Sequence, residues 1–146
     1  MIRKMIAADK DQVLELIKEF SDDKLTEFGS EFNREAAGSF FDVLIVNPML
    51  VALVDVDNDV IVGMIAGVVG AKMFTNSRSL QEIGWFVNKE HRGCGVRLLK
   101  EFEKQAKELL CEDVLLGGFL DTDEMYSRMG YAPFQKTYIK RIENET

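Results

Sequence analysis

The spacing of apolar positions changes several times along the chain, and each change marks an element. Residues 2–6 are a short apolar run that reads as a strand. From about residue 10 to 20 the spacing turns helical. Val13, Leu14, Leu16, Ile17 and Phe20 share one face, and Asp9 stands where an N-cap carboxylate can take the first free amides. Residues 21–32 are polar, acidic and interrupted by Gly29, and read as loop or short helix. Asn33 is a candidate N-cap for a second helix to about residue 45, with Ala36, Ala37, Phe40, Phe41 and Leu44 inward and Asn47-Pro48 ending it. Residues 49–56 and 60–69 are β-rich runs joined by Asp57-Asn58-Asp59, the pattern of an antiparallel hairpin.

Residues 70–78 read as a loop and 80–87 as a strand. A third helix is predicted over residues 95–110, with Leu98, Leu99, Phe102, Ala106, Leu109 and Leu110 facing a core and Glu103 four residues before Lys107 on the outer side. Residues 114–120 read as a strand containing Gly117-Gly118, and 121–129 as a short helix ending at Gly130, a natural C′ glycine. Residues 131–142 close the chain as one strand or a split one. The order β-α-α-β-β-β-α-β-α-β, with no linker-like stretch, predicts a mixed three-layer α/β architecture and a single domain over residues 1–146.

Composition narrows the function classes. The net charge of −7 argues against nucleic acid as the main partner, because phosphate binding needs a basic face. The longest apolar stretches, 60–71 and 40–46, are too short to span a membrane. The basic start is followed by an acidic helix where a signal peptide needs an apolar region, so the cytoplasm is the expected compartment. Cys94, Cys111 and the single histidine, His91, make neither a disulfide scaffold nor a good zinc site, so no metal is expected.

The candidate chemistry sits after residue 87. A strand, the turn Arg92-Gly93-Cys94-Gly95 and a helix N-terminus follow one another. Free N–H groups and the positive end of the helix dipole suit a pyrophosphate, and glycines let its oxygens approach the backbone. Taken alone the turn is also what any tight strand-to-helix connection needs. The wider segment Glu82-Ile83-Gly84-Trp85-Phe86-Val87-Asn88-Lys89-Glu90-His91-Arg92-Gly93-Cys94-Gly95-Val96-Arg97-Leu98-Leu99 closely resembles the central motif of the GNAT superfamily of N-acetyltransferases, a strand ending in Val, then Q/R-x-x-G-x-G/A, then a Leu-rich helix. Met125-Tyr126-Ser127-Arg128-Met129-Gly130-Tyr131 resembles the superfamily's late Tyr-containing segment. The registers do not coincide. Counted from Val87, the motif begins at Arg92 and Arg97 falls where Gly or Ala belongs; counted back from Leu98-Leu99, Gly93 and Gly95 are its small residues and Glu90 its first. The stretch between strand and helix reads as two residues short.

The resemblance implies an acyl-CoA N-acyltransferase-like fold with a central mixed sheet of six or seven strands and about four helices. It also implies acetyl-CoA as co-substrate and direct transfer to a primary amine. Phe86 and Val87 would hold the pantetheine and polarise the thioester carbonyl, and Arg92, Gly93, Cys94, Gly95, Val96 and Arg97 would meet the pyrophosphate. Tyr126 occupies the general-acid position, its other reading being a packing residue of a short helix. Glu82 is the candidate base, an ordered water chain the alternative. His91 and Cys94 read as turn residues. The Asn usual before the Tyr is Phe119 here and the usual Ala is Thr122, which leaves room for an altered cofactor pose.

The region that usually shapes the acceptor site is acidic. Residues 9–35 hold nine Asp or Glu against four Lys or Arg. The expected partner is therefore a small-molecule or protein amine, with a cationic one attracted by this face and a merely solvated helix face as the alternative. Neither nucleic acid nor membrane is expected, and a homodimer is allowed by family analogy. The competing reading is a CoA-binding or regulatory protein of the same fold without transferase activity.

Overall fold

The computed structural model describes residues 1–25, 31–118 and 122–142, with the backbone only at Arg92 and Cys94. The hairpin is as expected: β2 (Leu50–Asp57) and β3 (Val60–Ala71) pair antiparallel. Asn58 and Asp59 both adopt positive φ, 49° and 65°, as a two-residue turn matched to strand twist requires. β1 (Ile2–Lys4) adds to the outer edge of β2, and β4 (Arg78–Val87) lies antiparallel to β3. β5 (Asp113–Leu115) joins β4 in parallel, so the sheet order is β1-β2-β3-β4-β5.

Helix α1 (Lys10–Lys24) runs a turn longer than its apolar face predicts, and Ser21 is buried in that added turn. Asp9 does not cap it. The Asp9 carboxylate instead takes a two-pronged bond from Arg3 at 2.8 and 2.9 Å and the Ile6 amide at 2.8 Å. The Arg3 bond, more than the backbone amide, holds the Asp9 carboxyl below the usual range against its own burial. Helix α2 (Arg34–Leu44) is capped as expected, the Ala36 amide donating to Asn33 Oδ1 at 2.9 Å. Helix α3 (Gly95–Glu108) is preceded by a 3-10 turn over Lys89–Cys94 that the pattern reads only as loop.

Alternation along the strands places the helices on opposite faces. Val54, Met64 and Ala66 pack with Val13, Leu16, Phe41 and Leu44 of α1 and α2. Their strand neighbours face α3 instead. A Cβ at Gly63 would lie 2.9 Å from Leu98 Cδ1, and one at Gly67 would lie 2.7 Å from the Gln81 carbonyl oxygen and closer still to the Phe102 ring. These two glycines are sockets that let α3 sit close to the sheet.

The chain divides into two compact units, Met1–Leu116 and Gly117–Thr146. The second contains α4 (Asp123–Arg128), followed by Gly130 at φ 88°. The expected strand over 114–120 is shorter, ending at Leu115 before Gly117-Gly118, which favour a break over a ladder, and residues 119–121 lie outside the described residues. Residues 131–142 form no strand. Pro133 removes one ladder donor there, and Phe134, Tyr138, Ile139 and Ile142 are exposed rather than seated on a sheet. The sheet of the described residues therefore has five strands, not six or seven, and the described residues form four α-helices.

Candidate functional site

β4 changes character at its midpoint. Ser79, Leu80 and Gln81 are paired on both sides, with β3 and with β5. The register with β3 then shifts between Ala66 and Gly67, which face Gly84 and Glu82, leaving Ile83 as an extra residue. Such a bulge bends its strand and increases the local twist. Beyond it β5 no longer pairs, so along Glu82–Val87 one edge of β4 carries no strand among the described residues.

Phe86 and Val87 end this half-strand. Phe86 stacks on Phe20 of α1, with ring centroids 4.4 Å apart, and so anchors the strand end to the α1 side. Glu82 is half-buried opposite Gly67. Asn88 then starts the turn: its amide donates to the Val62 carbonyl at 2.8 Å, and its own oxygens receive the amides of Glu90 and His91 at 2.9 Å each. Sequence reading did not single out Asn88 as a turn organiser. An Asn two residues before the free amide is the signal that could have found it.

The six candidate phosphate-side residues fall at one place, the end of the 3-10 turn and the first turn of α3. Their surroundings differ. A Cβ at Gly93 would meet nothing within 4 Å among the described residues. Gly95 is buried, and a Cβ there would rest 3.4–3.6 Å from Trp85 and Val87. Val96 is partly exposed. Arg97 reaches down to the sheet, where Nη2 donates to Asp55 Oδ2 at 2.7 Å. His91 lies in the turn with Nε2 3.9 Å from Asp57 Oδ2, and its buried Nδ1 has no hydrogen-bond partner among the described residues.

On the α1 side a cavity of about 460 Å³ is lined by Gln12, Glu15, Glu19, Asp22, Ile61 and Asn88, among others. Its acidity is partly offset: Glu15 pairs with Arg34 at 3.0 Å, Asp22 lies 3.8 Å from Lys18, and Glu19 accepts the Lys89 amide at 3.4 Å.

Tyr126 belongs to the second unit. Its hydroxyl donates to the Gly117 carbonyl at 2.7 Å, and its ring lies 6.3 Å from that of Tyr131. Thr122 stands just before α4, and Phe119 lies outside the described residues. Among the described residues no group of three or more His, Cys, Asp or Glu is arranged to hold a metal ion, and no helix is long and apolar enough to cross a membrane.

Known proteins share this arrangement. A crystal structure of a GNAT family acetyltransferase from Staphylococcus aureus superposes with a TM-score of 0.74 at 18% identity, covering 97% of this chain and 98% of that one. Glucosamine-6-phosphate N-acetyltransferase from Arabidopsis thaliana gives 0.79 at 17% identity, with 98% of both chains covered. A protein described as a transcriptional regulator from Bacillus halodurans gives 0.82 at 17% identity, with 97% of this chain and 99% of that one covered. At these identities the likeness is one of fold. No curated protein matches the sequence significantly. The sequence profile of the acetyltransferase (GNAT) family, however, matches residues 13–131, and the chain belongs to that family.

Proposed function

We propose that this protein is an N-acetyltransferase that moves the acetyl group of acetyl-CoA directly to a primary amine. The observation that carries the reading is the half-strand Glu82–Val87, along one edge of which no strand pairs among the described residues, leading straight into a glycine turn and a helix N-terminus. A pantetheine arm carries amide groups that can pair with such an edge, and a pyrophosphate suits the positive end of α3. That a Cβ at Gly93 would meet nothing within 4 Å among the described residues fits close approach of a phosphate group.

In this reading the backbone at Phe86 and Val87 holds the pantetheine and polarises the thioester carbonyl, and the stretch from Arg92 to Arg97 forms the phosphate side. Donors aimed at the oxygen that gains charge act most strongly where water is excluded. The acceptor must attack as a neutral amine, although a free alkylammonium has a pKa of about 10.4. Glu82, directly or through water, takes its proton. The new C–N bond forms as the C–S bond breaks, and Tyr126 protonates the departing thiolate. A phenol of pKa about 10 can make that transfer.

The acceptor is a small-molecule or protein amine, and the carboxylates around the α1 cavity favour a cationic one. The expected setting is the cytoplasm, as a monomer or a homodimer. A second reading, CoA binding without transfer, is favoured by the Tyr126 hydroxyl already donating to Gly117. Calorimetric titration with acetyl-CoA, followed by thiol release across an amine panel, separates them. Binding with release supports the enzyme, binding without release supports the second reading, and failure to bind any CoA species overturns both.

A further inference from the structure

Asp55 is a carboxylate with no exposure to solvent, and the chemistry above does not use it. It stands on β2 opposite Gly63, on the sheet face covered by α3. A buried carboxylate is costly unless it is neutralised and hydrogen-bonded, and removing its partner leaves the charge uncompensated. Two cations answer it. Arg97 Nη2 donates to Oδ2 at 2.7 Å, and the α-ammonium group of Met1 lies 3.2 Å from Oδ1. Arg97 is the third residue of α3, so the contact runs from the sheet interior to the first turn of the helix.

That turn is seated at three points. Gly95 rests on Trp85 and Val87, Leu98 lies over Gly63, and Arg97 reaches Asp55. The first two are apolar and tolerate sliding. The third is a charge-assisted hydrogen bond, which is short and directional. The guanidinium also sits at the positive end of the helix dipole, where a bare cation is disfavoured, and the Asp55 charge offsets that penalty.

We propose that Asp55 is a positioning residue for acetyl-CoA. Through Arg97 it fixes the height and rotation of the first turn of α3, and so the amides that meet the pyrophosphate. This rests on the acetyl-CoA reading above. A direct role for Arg97 as a phosphate ligand restrained by Asp55 makes the opposite prediction, because removing Asp55 would then release the guanidinium and tighten binding.

The test uses Asp55→Asn, Arg97→Gln and the double variant in the full chain. Trp85 is the chain's one tryptophan and touches the turn at Gly95, so its emission reports the turn's placement independently of ligand. Each single variant is expected to weaken CoA binding by about tenfold in calorimetry and to shift Trp85 emission in the same direction. The double variant is expected to be no worse than the poorer single. With an active amine, KM for acetyl-CoA rises while kcat stays within about twofold. Tighter CoA binding in Asp55→Asn, additive effects, or unchanged affinity with unchanged emission would overturn the proposal. If Asp55→Asn does not fold, Arg97→Gln alone decides, its side chain being 60% exposed. Weaker binding with an emission shift then supports positioning, and weaker binding without one makes Arg97 a direct ligand. If the unaltered protein binds no CoA, the acetyl-CoA reading fails by itself, and the emission of the two variants still tells whether Asp55 places the turn.

Discussion

One strand, β4, contains two regions that obey different rules. From Arg78 to Gln81 it is structural. Leu80 is fully buried, β3 and β5 pair with it on either side, and the Ser79 hydroxyl donates to Asp113 at the start of β5. Lys72 completes that clasp, 2.7 Å from Asp113. From Glu82 to Val87 the same strand keeps β3, and no strand pairs with its other edge among the described residues. The extra residue Ile83 separates the halves. A single bulge thus separates a doubly paired half from a half with β3 alone beside it among the described residues, because it bends the strand just where its neighbour ends.

The largest test of this division is at the socket opposite Glu82. Gly67→Val pushes a side chain into the Gln81 carbonyl and the Phe102 ring, and should cost about 3 kcal/mol in denaturant unfolding. A loss under about 1 kcal/mol would mean that α3 is not seated there. Next is Tyr126→Phe. Turnover with a working amine should fall about 100-fold while the Kd for CoA stays constant, separating chemistry from the Glu82–Val87 half of β4. Full turnover would return Tyr126 to a packing role.

A paired comparison of truncations comes third. Leu80→Ala, in the double-paired half, should cost at least about 2 kcal/mol, whereas Ile83→Ala, 39% exposed at the bulge, should cost less than about 1 kcal/mol. Equal costs would erase the distinction between the halves.

The smallest effect concerns pH. The Lys72 bond first, and the Ser79 bond second, lower the Asp113 carboxyl below its ordinary value of 3.8. A carboxyl lowered in the folded state contributes its stability fully above the ordinary value, and loses it as pH falls through the lower folded one. Unfolding measured from about pH 5 to about pH 3 should therefore fall more steeply for the unaltered chain than for Asp113→Asn. Parallel curves would show that the clasp contributes nothing.

Much of this was legible from the residues, and the parts that were not share a cause. The hairpin, the Asn33 cap and the face of α3 from Leu98 to Ala106 follow from local spacing and turn chemistry, whereas Leu110, expected on that face, lies past the helix end and is exposed. The glycine turn was legible for the same reason. The bulge at Ile83 was not, because it depends on the register between β3 and β4 and leaves no mark in either strand alone. The Asp55–Arg97 pair was not, because its two members lie 42 residues apart. Asp9 read as a helix cap because the competing Arg3 is not visible as a partner until β1 and α1 are folded together. Residues 131–142 read as a closing strand, but a local reading cannot supply a neighbour to pair with.

The two glycine sockets under α3 also dictate where the chain tolerates changes of length. Each residue inserted into an α-helix rotates everything beyond it by about 100°. One extra residue between Gly95 and Leu98 would swing Leu98 off Gly63 and Phe102 off Gly67 together. The 3-10 stretch Lys89–Cys94, upstream of both sockets, carries no such constraint. Insertions and deletions can accumulate in that stretch without displacing the helix behind it.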